Sequence, residues 1–121
     1  VFADAQRRMA EIFAEFERMP AGTLQLITKR DGFMMNSWYS NLPKLKRKAR
    51  DRNYLYMHPD DARLRQIADG AEVTIHNRNG AIVAPVRLTD DLKPGVVAMT
   101  HGWGHGNTPG MRVANGTPGV N

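Results

Sequence analysis

Met9, Ile12, Phe13 and Phe16 recur at helical spacing between charged residues from Asp4 to Arg18, which predicts an amphipathic helix ending before Pro20. Its apolar stripe must pack on something, and we read the cover as this domain or a neighbouring one rather than a membrane surface. Gly22 marks a turn. Leu24, Leu26 and Thr28 then alternate with Gln25 and Ile27, which suits a largely buried strand. The stretch from Asp31 to Asn53 has turn chemistry at Asp31-Gly32 and Asn41-Leu42-Pro43 but no sustained period, so it reads as a long loop. Met34, Met35, Trp38 and Tyr39 within it argue for order.

The run "NYLYMHP" reads as a second apolar strand, stopped by Pro59. Pro59 suits the first position of a short helix over residues 59–66, with Asp60 and Asp61 in its positive first turn. "ADG" turns the chain and "EVTIH" alternates as a strand. Asn79-Gly80 is the strongest hairpin signal in the sequence. "AIVAPVRLT" returns, with Pro85 acceptable only at an edge or bulge, and "LKPGVVAMTHG" supplies a Pro-Gly turn and a last strand. From Gly102 onward six glycines and two prolines in 20 residues predict an irregular tail. These elements predict a mainly β fold with short helices: a helix and linker over residues 1–21, then a β-domain over 22–121 that closes as a barrel.

The length of 121 residues fits a single core. The chain opens on Val1 rather than Met, which reads as a piece of a longer chain. With no cysteine, these residues cannot build a disulfide framework, a thiolate zinc site or an iron–sulfur cluster. No apolar run approaches the roughly 20 residues of a membrane span, and the charged N-terminus is no secretory signal. We expect a soluble, cytoplasmic protein, although a cysteine-free domain is equally compatible with the periplasm. The formal charge is +5, and eight basic residues against two acidic ones fall between Lys29 and Arg52, so one region should attract anions.

Three constellations could carry chemistry. His101 and His105 stand four apart, but Gly102 and Gly104 disfavour a helix and no third ligand is near; a glycine-rich loop approaching an anion or a flat heterocycle fits better than a metal site. Asp60-Asp61 could pair as acid and base, but carboxylates in a first helical turn are stabilising for structural reasons alone. Lys44 to Arg52, flanked by Trp38, Tyr39, Tyr54 and Tyr56, could bind single-stranded nucleic acid or be a solvated run. No catalytic residue and no metal ligand is assigned.

"LITKRDGFMMNSW", "MHPDDA", "DGAEVTIHNRNG", "LKPGVVAMTHGWGH" and "GTPGVN" together resemble, in order and spacing over residues 22–121, the C-terminal domain of molybdopterin-dependent oxidoreductases, the family of formate dehydrogenases, nitrate reductases and dimethyl sulfoxide reductases. The resemblance implies a double-psi β-barrel closing over a molybdopterin guanine dinucleotide. By position it implies that Thr28, Lys29 and Arg30 lie near the cofactor phosphates and pterin, followed by the polar stretch Asn36, Ser37 and Trp38. His58 stands where many members have Asn, Asp61 matches the carboxylate that reads the nucleotide end, and His101 and Trp103 belong to the loop approaching the pterin. Asn121 matches an Asn near the family's C-terminus. Gln66 departs from a common Gly, which is suitable if that residue need not take positive φ.

Molybdenum or tungsten would be held by the cofactor and an upstream residue, and any iron–sulfur cluster would lie upstream as well. The chain alone is therefore expected not to catalyse, and its partners to be upstream domains of the same enzyme or a separate catalytic chain. "MHPDD" and "NSW" look most like the formate dehydrogenase or nitrate reductase type. The alternative is a free-standing basic β-barrel that binds nucleic acid or docks to a partner subunit.

Overall fold

The computed structural model describes residues 2–47, 50–104, 110–111 and 119, apart from the Phe16 side chain. The predicted N-terminal helix is present as α1 (Phe2–Glu17). Phe2, Met9, Ile12 and Phe13 on it are exposed, so the described residues of this domain do not cover the stripe. Glu15 meets Arg78 at 3.6 Å, an exposed pair of the kind that contributes little.

Five strands follow: β1 (Gln25–Lys29), β2 (Leu55–Met57), β3 (Glu72–Asn77), β4 (Gly80–Leu88) and β5 (Val96–Thr100), with α2 (Pro59–Leu64) between β2 and β3. They form one mixed, curled sheet, a half-barrel in the order β1-β5-β2-β4-β3. β1 runs parallel to β5 and β2 parallel to β4, whereas β2–β5 and β3–β4 are antiparallel. The fold is thus mainly β with few short helices, as the periodicities predict.

The core follows from the two-residue repeat of strands. Register sets Leu55 beside Val86, and Met57 beside both Leu88 and Val97. Leu55, Met57, Val86 and Val97 form one buried apolar cluster with Met99, Ala84 and Ala62 of α2, and the half-buried Leu88 packs against it. β1 is less buried than its pattern implies because it is an edge of the sheet, leaving Ile27 and Thr28 exposed. Pro85 sits where its missing N–H costs least. β4 pairs with β3 up to Pro85 and with β2 from Val86 onward, and Val86 N–H donates instead to Ala71 O at 2.8 Å.

Two turns differ from expectation in detail. The β3–β4 connection centres on Arg78 and Asn79, neither of which has positive φ, so it is not the primed turn that Asn-Gly favours. Asn77 Oδ1 instead accepts from the N–H groups of Asn79 and Gly80, closing the turn from its side chain. At the end of α2, Gln66 takes φ +56°, so the departure from Gly has a conformational cost after all. Gln66→Gly is expected to stabilise the chain by about 1 kcal/mol. A urea midpoint equal to or below that of the wild type contradicts this.

The 31–42 segment is ordered by successive turns rather than a regular element. Asp31 O accepts from Met34 N, Met34 O from Tyr39 N and Ser37 O from Ser40 N, before a 3-10 turn over Pro43–Leu45. Met35 and Asn36 inside it both have positive φ, at 43° and 61°.

Candidate functional site

Because β1 and β5 are parallel, their C-terminal ends lie side by side, and the ladder continues where His101 N–H donates to Lys29 O at 3.0 Å. This brings Thr28, Lys29 and Arg30 together with His101 and Trp103. The 31–42 loop joins them through Gly102, which has φ +99°, and whose pro-Cβ position lies 1.4 Å from Asn36 O. Only a residue without a side chain allows that backbone crossing. Gly119 makes a second crossing, over the Trp103–Gly104 peptide.

Around this junction Thr28, Arg30 and Asn36 are exposed, and Lys29, Ser37 and His101 half-buried. Trp38 is 81% exposed, whereas Trp103 is 3% exposed and supports the loop from beneath. The Lys29 ammonium lies 4.2 Å from the centre of the Tyr56 ring. Asn121 and His105 lie outside the described residues.

Lys46 is a functional candidate that sequence reasoning passed over within the basic run. It is buried, and its Nζ donates to Phe33 O at 2.9 Å, lies 2.7 Å from Met34 Sδ and sits 4.9 Å from the centre of the Trp103 ring. Burial pushes its pKa below the ordinary 10.5, and the nearby Asp31 carboxylate opposes that shift. Asn53 is a second such residue: its buried amide donates to Thr100 O and accepts from Thr100 N, both at 3.2 Å, so a side chain fixes the end of β5. Neither position carries a periodic signal.

His58 and Asp61 are at the other end. β2 is antiparallel to β5, so α2 starts beside the turn that precedes β5, away from the His101 loop. His58 caps α2, its Nδ1 accepting from Asp60 N–H at 3.1 Å, which assigns the ring proton to Nε2. An Asn there would cap equally well, which explains in physical terms why both residues suit this position. Asp61 is 6% exposed; its Oδ2 accepts from Gly95 N–H at 2.7 Å and its Oδ1 lies 3.5 Å from Arg65. Arg65 in turn donates to Asp61 O and to Gly22 O. The predicted site residues therefore form two groups at opposite ends of the β1–β5 pair. At about 3.3 Å per residue, a strand of this length separates them by roughly 15 Å.

Among the described residues no cluster of three or more His, Asp or Glu could hold a metal ion, and no helix is long and apolar enough to cross a membrane.

The family model described as Molydopterin dinucleotide binding domain matches residues 24–119. The chain is 32% identical over 98 residues to a putative dimethyl sulfoxide reductase catalytic subunit of Halobacterium salinarum, covering 81% of this chain and 11% of that protein. It is 35% identical over 82 residues to the putative dimethyl sulfoxide reductase chain YnfE of Escherichia coli, covering 67% and 10%. Over 83 residues it is 35% identical to biotin sulfoxide reductase of Cereibacter sphaeroides, covering 68% and 11%. The chain spans about a tenth of the length of these relatives.

Proposed function

Because the chain belongs to the molybdopterin dinucleotide-binding domain family, we propose that it is the part of a molybdenum or tungsten oxidoreductase that encloses the pyranopterin guanine dinucleotide, its half-barrel completed as a double-psi β-barrel. The observation that carries this reading beyond the family match is the parallel β1–β5 pair, which gathers Thr28–Arg30, Asn36–Trp38 and His101–Trp103 at one end.

The residues present fit such a cofactor. A pyrophosphate calls for cations and N–H donors; the exposed Arg30 offers the first, and the exposed left-handed turn at Asn36 would offer the second. Ser40, in the same loop, has a buried hydroxyl without a hydrogen-bond partner among the described residues. The roughly 15 Å between the two groups of site residues leaves them to contact different ends of an extended ligand, one the pterin and the other the guanine. Arg30 and the Asn36–Trp38 and His101 loops would hold the pterin and phosphates. The α2 entrance, with the half-buried His58 as donor through Nε2 and Asp61 behind it, would face the nucleotide end. When bound, the cofactor would supply a metal centre, ligated through its dithiolene, for redox chemistry on a small substrate. This chain's contribution is to bind, orient and exclude water. The substrate, the protein ligand to the metal and any iron–sulfur cluster belong to other parts of the enzyme.

For the substrate, two short motifs favour a formate or nitrate type, whereas alignments over two thirds of the chain or more lead to three proteins named for sulfoxide reduction and to a tetrathionate reductase subunit. We propose the sulfoxide class, which three of those four proteins share. The nucleic-acid reading gains nothing from the basic segment: Lys46 is turned inward, and the Arg50 guanidinium lies 3.2 Å from the centre of the Phe33 ring.

Charge reversal tests the assignment. Arg30→Glu in the whole enzyme is expected to lower molybdenum or tungsten content by about tenfold, the loss of one charge-assisted contact. Metal content equal to that of the wild type, measured on folded protein, would count against a cofactor contact at Arg30.

A further inference from the structure

We propose that Lys46 is a positioning residue: one buried amine that bolts the 33–38 loop to the 101–104 loop and so holds both cofactor-facing segments in register. This rests on the cofactor reading above. The two loops are distant in sequence, and the Gly102 crossing leaves no room for a side chain between them. Close approach alone does not fix them, because Met35 and Asn36 occupy a conformation that side-chain-bearing residues leave readily.

Lys46 supplies the fixing contacts. Its Nζ donates to Phe33 O and touches Met34 Sδ, immediately before the two left-handed residues, and its charge lies over the buried Trp103 ring, immediately after Gly102. Asp31 ties the same loop from its other side, its Oδ1 accepting from Phe33 N–H at 2.9 Å. A hydrocarbon side chain of equal length would keep the packing against Met34 and Trp103 but lose the donor and the cation. Burying an ammonium carries a desolvation cost, so a lysine here is hard to explain by packing alone.

The test uses the whole enzyme, prepared both cofactor-loaded and cofactor-free, with Lys46→Met and Lys46→Arg variants. In the cofactor-free form Lys46→Met is expected to raise amide hydrogen exchange about tenfold in peptides spanning 33–38 and 100–104, while β3 and β4 exchange as in the wild type. In the loaded form the same variant loses metal content, and Lys46→Arg, which keeps donor and charge, restores both readouts in part. Unchanged exchange in the two loops overturns the proposal, as does a uniform rise across the sheet, which marks a merely structural role. Loosened loops with full metal content also overturn it, while leaving the cofactor reading intact. A wild-type enzyme that contains neither metal nor pterin would defeat the cofactor reading itself, and the positioning role with it.

Discussion

Gly102→Ala is expected to destabilise the chain by on the order of 3 kcal/mol, a large effect for a single added methyl group. Two costs coincide at this position. The backbone has φ +99°, which an L side chain rarely adopts, and the new Cβ would fall 1.4 Å from the Asn36 carbonyl oxygen, a backbone atom that cannot rotate away. The 35–37 segment would have to move, and with it the exposed polar groups assigned to the cofactor. Gly70→Ala separates the two costs, because Gly70 has φ +80° but nothing within 4 Å of its pro-Cβ position. That variant should lose only about 1 kcal/mol. Equal urea midpoints for the two variants would show that the crossing at Asn36 is looser than described.

The second large effect is expected at Asp61. Asp61→Ala removes the acceptor for Gly95 N–H and the counter-charge 3.5 Å from Arg65, both at a buried position, and should cost about 3 kcal/mol. Asp61→Asn keeps an oxygen for Gly95 and loses only the charge, so about 1 kcal/mol is expected. Gly95 O in turn accepts from Gln25 N–H at 2.8 Å, so the carboxylate anchors the turn on which β1 and β5 begin together. Loss of stability within about 0.5 kcal/mol for Asp61→Ala, read from equilibrium unfolding, would mean that the carboxylate serves a ligand rather than the fold.

The sequence was legible where local chemistry decides the structure. Pro59 with its two aspartates, Pro94-Gly95 before β5 and the alternation in β3 each predict an element at the observed place, because cap, turn and strand periodicity act within a few residues. Burial was less legible. Ile27 looks like a core residue until β1 proves to be the edge of the sheet, and of the two covers expected for the stripe of α1, this domain or a neighbouring one, the described residues do not supply the first. Charge was misleading in one respect, since a buried lysine and a solvated one look alike in "KLKRKARDR". The resemblance supplied the candidate residues, but their division into two groups depends on strand direction, which no local pattern encodes. Gln66 shows the reverse: the sequence identified the unusual residue, and only the backbone revealed that it carries strain.

The pairing of β1 with β5 also has a kinetic consequence. Gln25 of β1 is matched with Val96 of β5, so closing this end of the sheet brings together its first and last strands in the chain, whereas β3 and β4 are separated by only Arg78 and Asn79. Loop closure of the long kind is slow and earns nothing until its partner strand is in place, so the hairpin forms early and the parallel pair late. The 31–42 loop and the 101–104 segment are appended to that late pair. A newly made chain is therefore already folded around its hairpin while the ends that carry Thr28–Arg30 and His101–Trp103 are still apart, so the order of assembly runs from the hairpin edge of the sheet to the parallel edge.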